Sequence, residues 1–313
     1  MLIKVLTVAL IVVLVLAIIY LLCIMPRMVG RPDHKPFKEL MYAHRGLHDN
    51  ESDAPENSMA AFRKAVEGGY GMELDVQLSK DGVPVIFHDF TLERMARMEV
   101  DASVEGTVTV DGAEVNLLGK TVVPAKGKVS DYTFEELQQF TLGKSGEKIP
   151  TFKELLEMVD GKTPLIIEYK IPGVANVKVC ELCNEMLKEY GGLYCIESFN
   201  PFAVLWYRRH NKKVLRGQLS DSYIKEKQTG YPKILFFILH HLMLNFLAKP
   251  DFIAYNHFYY KDVSRRLCRY LYGGLAAAYT IKSQQQLEDR SGDFDMFIFD
   301  SFIPKDGNKN VAK

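Results

Sequence analysis

The sequence has 313 residues, of which 48% are hydrophobic and 25% are charged, and its formal net charge at pH 7 is zero. This length allows one large domain with an appendage, and the composition is that of a globular chain. A zero net charge favours neither nucleic-acid binding nor strong adhesion to acidic surfaces, and no basic run interleaved with aromatic residues indicates a nucleic-acid site.

The first feature along the chain is an aliphatic run from Val5 to Met25. A helix of this length can cross a bilayer core of about 30 Å. A cleaved signal peptide is the alternative, although its apolar core is usually shorter and no small-x-small cleavage site follows. We therefore predict a transmembrane anchor over residues 1–25 and a linker over residues 26–40.

Basic residues are distributed unevenly around this run. Only Lys4 and the amino terminus precede it, whereas Arg27, Arg31, Lys35 and Lys38 follow it. The positive-inside tendency then places the larger domain on the cytoplasmic side of the cell membrane. The cysteines show no spacing typical of a disulfide framework, which agrees with a reducing compartment.

From residue 41 onward, strand-like and helix-like segments alternate. The predicted strands are 41–45, 72–77, 165–170, 194–199, 214–219, 252–256, 276–280 and 296–300. The predicted helices are 58–68, 151–159, 174–189, 201–210, 233–247, 262–272 and 283–290. Eight strands with helices between them over about 260 residues have the proportions of a TIM (β/α)8 barrel. We assign the barrel to residues 41–303 and treat residues 304–313 as a C-terminal tail.

A ninth strand-like run, 83–88, follows the second strand after a few residues only. This connection is too short for a parallel crossover, so we predict the return arm of a hairpin that leans over the barrel mouth. Residues 90–150 show no sustained helical period and are predicted to be an insertion after the second strand. Within it, 101–129 is expected to form short β segments and turns. These are marked by Val104, Thr107 to Val110, Asp111-Gly112 and Val122.

Carboxylates recur at a spacing of two residues on predicted strands. Glu73 and Asp75 point to the same strand face, because successive side chains alternate. Paired carboxylates suit a hard divalent cation, although a solvated strand face is the structural alternative. Glu168 and Lys170 share a face in the same way, so that Glu168 adds a third carboxylate and Lys170 a phosphate contact in the same mouth. For this second pair the alternative is a cross-strand salt bridge.

Two histidines and an arginine complete the polar group. His44 and His88 follow strand-like runs, and α/β barrels place their chemistry at the carboxyl ends of strands. A cation, two histidines and Arg45 suit cleavage of a phosphate ester, because together they neutralise charge and transfer protons near neutral pH. For His88, which precedes Asp89, a local hydrogen bond is the alternative.

Six ordered segments together resemble the glycerophosphodiester phosphodiesterase family. They are His44-Arg45-Gly46, Pro55-Glu56-Asn57-Ser58, Glu73-x-Asp75, Asp81-Gly82-x-Pro84-Val85 with His88-Asp89, Glu168-x-Lys170 and Ser198-Phe199. The resemblance covers residues 40–303 and leaves out the N-terminal run. One departure is Ala278-Tyr279-Thr280, where the family often has a tryptophan–threonine pair.

The resemblance implies metal-dependent hydrolysis of a glycerophosphodiester to glycerol 3-phosphate and an alcohol. It implies a Mg²⁺ or Ca²⁺ site made of Glu73, Asp75 and Glu168, and an acid/base pair made of His44 and His88. Substrate or phosphate contacts are expected from Arg45, Lys170, Ser198, Phe199 and Tyr279. Asp300 is expected to be structural or to support the other groups.

Two further residues, Arg216 and Gln218, alternate on one strand. They could reach the substrate, or they could be ordinary inward-facing polar residues of the barrel.

The apolar segment Ile234 to Leu247 allows two interpretations: a helix packed over the barrel, or one dipping into the membrane beside the anchor. Together with the anchor it favours an alternative substrate, a lysophospholipid or lipid-linked glycerophosphate that is cleaved at the bilayer in a phospholipase D-like reaction. A membrane-bound head-group-binding protein without catalysis is the alternative from another class. Such a protein is expected to lack one of the site's histidines or acids. This sequence keeps both histidines and all three acids.

Overall fold

A computed structural model describes residues 1–101, 107–110, 113–116, 120–173, 176–223, 225–227, 230 and 232–305. The predicted features at Val104 and Asp111-Gly112, and the tail from residue 306 onward, lie outside these described residues.

The described strands lie between residues 41 and 299. They are β1 (Met41–Ala43), β2 (Gly71–Leu78), β3 (Pro84–Ile86), β4 (Ala96–Asp101), β5 (Thr107–Val110), β6 (Ala113–Asn116), β7 (Lys120–Pro124), β8 (Thr141–Leu142), β9 (Leu165–Tyr169), β10 (Tyr194–Ser198), β11 (Leu215–Ser220), β12 (Phe252–Asn256), β13 (Leu275–Ile281) and β14 (Met296–Phe299). Strands β1, β2 and β9 to β14 are parallel neighbours in that order, and β14 pairs with β1 to close the ring. The predicted TIM barrel is therefore confirmed.

Helices cover the outside of this barrel and precede it. They are α1 (Leu2–Ile24), α2 (Met59–Glu67), α3 (Phe134–Leu137), α4 (Phe152–Val159), α5 (Lys178–Leu187), α6 (Pro201–His210), α7 (Lys233–His240), α8 (Asn245–Ala248), α9 (Val263–Arg266, continued as a π-helix over Leu267–Leu271) and α10 (Gln284–Arg290). Short 3-10 turns lie at Lys35–Phe37, Val129–Asp131 and His257–Tyr259. Side-chain caps start several helices, since Ser58, Thr151, Asn200 and Ser283 each accept a hydrogen bond from a first-turn N–H.

The two faces of the barrel strands bury separate apolar cores. Tyr42 and Ile166 belong to the core inside the barrel. Leu74 and Ile167 belong to the larger core between the strands and the helices. Since side chains alternate along a strand, Glu168, two residues after Ile166, also points inward and reaches the mouth.

The hairpin after the second barrel strand is confirmed, because β3 pairs antiparallel with β2. The predicted insertion follows it. There β4 pairs with β7 and β8, and β5 pairs with β6. Val85, Leu92 and Leu137 belong to a third apolar core under these strands.

The single helix predicted over 233–247 is wrong, because the segment forms α7 and α8 with a break between them. The break coincides with Leu242, which has φ 56° and lies outside the right-handed helical region. On α7, Phe236 is buried, whereas Ile234 and Phe237 are 66% and 45% exposed. The segment thus packs on the barrel with one face and leaves another apolar face open.

The N-terminal helix α1 is the one helix in the described part of the chain that is long and apolar enough to cross a membrane. A signal sequence near the N-terminus can meet the same criteria of length and composition. Residues 1–19 are exposed, whereas Ile24 is fully buried against the barrel layer. The end of α1 is therefore packed on the domain.

Candidate metal and catalytic site

Three carboxylates converge at the carboxyl ends of two neighbouring barrel strands. Glu73 and Asp75 project from β2, and Asp75 is the register partner of Glu168 on β9. One oxygen from each carboxylate lies within 4.8 Å of the others, and all three side chains are buried. The structure thus brings together the three residues that the resemblance implied as metal ligands.

Burial and mutual repulsion act on these carboxylates. Burial raises the pKa of Glu73 well above its ordinary value, and the charges of Asp75 and Glu168 raise it further. Burial also raises the pKa of Glu168. For Asp75, burial is outweighed by neighbouring basic groups, His88 first among them, which lower its pKa below the usual range. A buried group of like charges is stabilised by a cation bound among them.

Two basic side chains contact the carboxylates. Lys170 Nζ lies 2.9 Å from a Glu168 oxygen and 3.3 Å from an Asp75 oxygen. Arg45 Nε lies 3.4 Å from the other Asp75 oxygen, and the Arg45 backbone N–H donates to Glu73 at 3.1 Å. Both predicted phosphate-binding cations therefore lie against the carboxylate group.

The backbone around Arg45 adopts a conformation that few residues tolerate. Arg45 and Asn57 have φ of 54° and 57°, in the left-handed region that non-glycine residues rarely occupy. The Asn57 N–H donates to the Arg45 carbonyl at 2.9 Å, and its side-chain amide donates to Asp75 at 2.9 Å. The first two motif segments thus form one unit that fixes Arg45 against β2, and strain of this kind concentrates at functional sites.

His44 lies directly after β1 and is oriented by a carboxylate. Its Nδ1 is 3.3 Å from Asp300, just beyond β14, so Nδ1–H donates to that carboxylate. Its Nε2 then faces the carboxylate group, 4.0 Å from a Glu73 oxygen. Burial lowers the pKa of His44 to about 4, which favours the neutral imidazole. His48 Nε2 lies 3.6 Å from the other Asp300 oxygen.

His88 lies on the loop after β3 and is oriented in the same way. Its Nδ1 is 2.5 Å from Asp89, and Arg94 donates to both Asp89 and Glu56. Gln77 on β2 donates to the carbonyls of the residues before and after His88, each at 2.7 Å. The N–H of Phe87, directly before His88, donates to the Asp75 carbonyl at 3.0 Å, and His44 approaches Glu73, so both histidines belong to segments beside the carboxylates.

The remaining predicted contact residues lie in the wall of the mouth. Phe199 lies 6.0 Å from Lys170 Nζ and 6.1 Å from the Tyr279 ring. The Ser198 hydroxyl donates to the Tyr169 carbonyl at 2.6 Å, and the Tyr279 hydroxyl donates to the Ser220 carbonyl at 2.8 Å. The hydroxyls of Ser198 and Tyr279 are thus engaged by the backbone of the wall.

Both interpretations of Arg216 and Gln218 are wrong. Their neighbours Leu215 and Leu219 belong to the interior core, so Arg216 and Gln218 face the helices. Arg216 lies 3.6 Å from Asp251, before the amino end of β12 and far from the mouth. Gln218 donates to the backbone carbonyls of residues 198 and 199 and so supports the wall from behind.

Sequence reasoning missed a fourth inward carboxylate, Glu197 on β10. It is the register partner of Glu168 and is 1% exposed. Burial, with the charges of Glu168 and Asp75, raises its pKa well above the ordinary value. Its position two residues after the apolar Cys195 on a buried strand is the sequence signal for an inward-facing side chain.

The donor set fits a hard divalent ion. Mg²⁺ and Ca²⁺ take carboxylate oxygens, and the group offers three of them at one end of the barrel. One Asp75 oxygen is buried without a hydrogen-bond partner among the described residues. Lys170 Nζ lies 3.3 Å from this oxygen, and a cation bound among the three carboxylates would supply the direct ligand contact that it lacks.

Comparison with known proteins places this site in a family. The profile of the glycerophosphoryl diester phosphodiesterase family matches residues 44–272. A glycerophosphodiester phosphodiesterase of Caldanaerobacter subterraneus subsp. tengcongensis is 34% identical over 177 residues, which cover 53% of this chain and 60% of that protein. Human glycerophosphodiester phosphodiesterase 1 is 30% identical over 185 residues, which cover 55% of this chain and 46% of that protein. The chain therefore matches about half the length of these relatives.

Solved structures show the same fold. An Oleispira antarctica phosphodiesterase in complex with the product sn-glycerol-3-phosphate superposes with a TM-score of 0.61 at 23% identity, covering 84% of this chain and 94% of that chain. The Thermotoga maritima glycerophosphodiester phosphodiesterase superposes with a TM-score of 0.55 at 21% identity, covering 83% and 93%. Since the family profile spans more than half of the sequence, this chain belongs to the glycerophosphoryl diester phosphodiesterase family.

Proposed function

We propose that this protein hydrolyses glycerophosphodiesters to glycerol 3-phosphate and an alcohol in a metal-dependent reaction. The observation that carries the proposal is the pair of carboxylate-oriented histidines on segments beside three buried acids. Family membership supports the substrate class, since the relatives are named for this reaction.

The histidines supply proton transfer. With Nδ1 of His44 bound to Asp300 and Nδ1 of His88 bound to Asp89, each ring leaves its Nε2 free for exchange. One Nε2 accepts the proton of the attacking oxygen, and the other donates a proton to the leaving alkoxide. One phosphorus–oxygen bond forms as the other breaks. One histidine gains a proton and the other loses one, so the two histidines together carry the same number of protons before and after the reaction.

The charged residues would bind and neutralise the phosphate. Glu73, Asp75 and Glu168 would hold Mg²⁺ or Ca²⁺. When bound, such an ion polarises the phosphoryl oxygens and offsets their charge. Arg45 and Lys170 add fixed positive charge beside the same group, which lowers the cost of the extra negative charge in the transition state.

A binding protein without catalysis is the competing interpretation. It would retain a phosphate site and would have lost an acid or a histidine. Here both histidines keep their orienting carboxylates and all three acids face one point, so the site supports an enzyme.

The direct test is glycerol 3-phosphate release from glycerophosphocholine by the full chain in detergent. We expect release to stop with chelator and to return with Mg²⁺ or Ca²⁺. His44→Ala and His88→Ala should each lower turnover by at least about 100-fold, the usual contribution of acid/base catalysis. His210→Ala, at an exposed histidine, is the matched control. Near wild-type turnover in both site variants, with folding unchanged by circular dichroism, would refute the mechanism.

A further inference from the structure

An apolar groove continues from the carboxylate site. This cavity has a volume of about 300 Å³, and its polar end is formed by Glu168 and Lys170. The rest of its wall is largely apolar. The apolar side chains include Phe90, Phe202, Leu235, Phe236, Leu239 and Leu244. A groove that begins at the reacting centre and ends among aliphatic and aromatic side chains suits a ligand with a phosphate at one end and a hydrocarbon at the other.

The direction of α1 relates this groove to the bilayer. Tyr20 interacts with Ser264 near the start of α9, and one turn further along both helices the Ile24 carbonyl accepts from Cys268. The helix that follows a barrel strand runs from the mouth back toward the amino ends of the strands. Helix α1 therefore runs from the mouth toward the opposite end.

The exposed part of α1 consequently extends beyond the mouth. After the helix, the chain reaches the amino end of β12, where the Arg27 N–H donates to the Pro250 carbonyl at 2.9 Å. Residues 1–19 precede all of these contacts and are exposed. They make about 27 Å of helix at 1.5 Å per residue, close to the thickness of a bilayer core. A bilayer crossed by these residues would face the mouth of the barrel.

Exposed apolar side chains lie on loops and helix starts at the same end of the barrel. They are Phe90, Ile234, Phe237, Phe258 and Val263, with exposed fractions of 40%, 66%, 45%, 65% and 63%. Ile234 and Phe237 belong to α7, whose other face lines the groove. Large apolar side chains grouped at one rim of a soluble domain indicate contact with a membrane or partner. Their position on the side toward which α1 projects favours the membrane.

From these three observations we propose that the substrate is a glycerophosphodiester that carries one long acyl chain, taken from the bilayer surface with that chain in the groove. This inference rests on the proposed function. Water oxygen bonds to phosphorus, the phosphorus–oxygen bond to the head-group alcohol breaks, and the proton passes to that alcohol. The acyl chain remains on the glycerol phosphate product, so the reaction is that of a lysophospholipase D.

The test compares two substrates that differ only in the acyl chain, glycerophosphocholine and 1-palmitoyl lysophosphatidylcholine. Choline release reports cleavage of either one. The full chain, reconstituted in phosphatidylglycerol vesicles with Mg²⁺ or Ca²⁺, should show a kcat/KM at least about tenfold higher for the acylated substrate, a modest share of the gain from burying many CH₂ groups. Leu235→Glu and Leu239→Trp, which place a charge in the groove or fill it, should each lower this ratio at least about tenfold.

Leu271→Glu is the matched control, because Leu271 is 55% exposed at the end of the π-helix, away from the mouth. It should leave both activities within about twofold of wild type, as is usual for surface substitutions. Cleavage of glycerophosphocholine without a preference for the acylated substrate, or a preference that both groove variants retain, would overturn the inference and leave the proposed function standing. Failure to cleave either substrate with metal present would overturn both.

Discussion

At the scale of single residues, the carboxylates of Glu73, Asp75 and Glu168 are the least stable feature of the site without a cation. They are buried, and their oxygens lie within 4.8 Å of one another. Lys170 and Arg45 offset part of the charge, yet the pKa of Glu73 stays well above its ordinary value because burial and its acidic neighbours disfavour ionisation. Cation binding should therefore release a proton and depend on each acid.

Glu168→Gln should weaken Mg²⁺ or Ca²⁺ binding by at least about tenfold, since it removes one charged ligand and leaves the side chain's shape nearly unchanged. Isothermal titration calorimetry on the full chain in detergent measures the affinity. Glu157→Gln, at an exposed glutamate of α4, should bind the cation as the wild type does. Equal affinities for wild type and Glu168→Gln would remove Glu168 from the ligand set.

Glu56 forms ion pairs with both Arg45 and Arg94, at 2.7 Å and 2.6 Å. Burial opposes its ionisation, but the hydrogen bond from Arg94 and the charge of Arg45 lower the pKa of Glu56 to about 2 from an ordinary 4.5. A lowered folded-state pKa contributes stability that is fully present above the unfolded value and is lost as pH falls through the folded value.

Wild type should therefore be more stable than Glu56→Gln at pH 6, by about 3 kcal/mol at most. This difference should shrink as pH falls from about 4.5 toward about 2. Denaturant unfolding of both proteins across this range, without added metal, measures it. Glu157→Gln provides the exposed comparison and should show no pH-dependent difference of this size. A gap between wild type and Glu56→Gln that stays constant over the range would contradict the role of these ion pairs.

At the scale of elements, the turn after β1 depends on a glycine. Gly46 has φ 83°, and a Cβ there would lie 2.9 Å from the backbone carbon of Ala61 in α2. Gly82, in the turn between β2 and β3, has φ 84° and nothing within 4 Å of the corresponding position. The two glycines share a backbone conformation and differ in the space available.

Gly46→Ala should lower the free energy of unfolding by at least about 2 kcal/mol, because the left-handed conformation and the contact with α2 both penalise a side chain. Gly82→Ala should lower it by about 1 kcal/mol, from conformation alone. Denaturant unfolding gives both values, and their difference isolates the steric contact. If Gly82→Ala costs as much as Gly46→Ala, the packing of α2 against the turn is looser than the structure shows.

Most barrel elements could be predicted because each carries a local signal. Buried strands such as 252–256 are short apolar runs between helical patterns, and α6 agrees with its predicted bounds of 201–210. The break between α7 and α8 could not be predicted, since an apolar run such as 234–247 carries no residue that ends a helix. It depends on Leu242 packing into the barrel layer in a left-handed conformation.

For the site, the sequence spacing predicts which residues share a face of one strand. It does not predict the contacts between different strands. Glu73 and Asp75 are recognisable from alternation alone. The bond between His44 and Asp300 joins the first and last barrel strands and follows only from ring closure. The sequence gives Gln77 no signal beyond its position on a strand. Its role depends on the loop after β3, whose carbonyls before and after His88 accept its hydrogen bonds.

At the scale of the whole molecule, the N-terminal apolar helix and the barrel could each be predicted from the sequence, but their relative direction could not. That α1 projects past the mouth depends on contacts of Tyr20 and Ile24 with elements more than two hundred residues away. This direction decides which face of the barrel would meet a bilayer. If α1 is uncleaved and the domain is cytoplasmic, the amino terminus lies outside the cell and the barrel lies inside.

Two variants, each with one added cysteine, test this topology in intact cells that express the full chain. Leu2→Cys lies at the amino end of α1, and Val122→Cys lies on β7, where the native side chain is 61% exposed. The native cysteines of the barrel domain are buried and give little background. Because basic residues follow α1, a membrane-impermeant maleimide should label Leu2→Cys in intact cells and Val122→Cys only after permeabilisation. Labelling of Val122→Cys in intact cells would place the domain outside, and loss of residue 2 from the mature chain would identify α1 as a signal sequence.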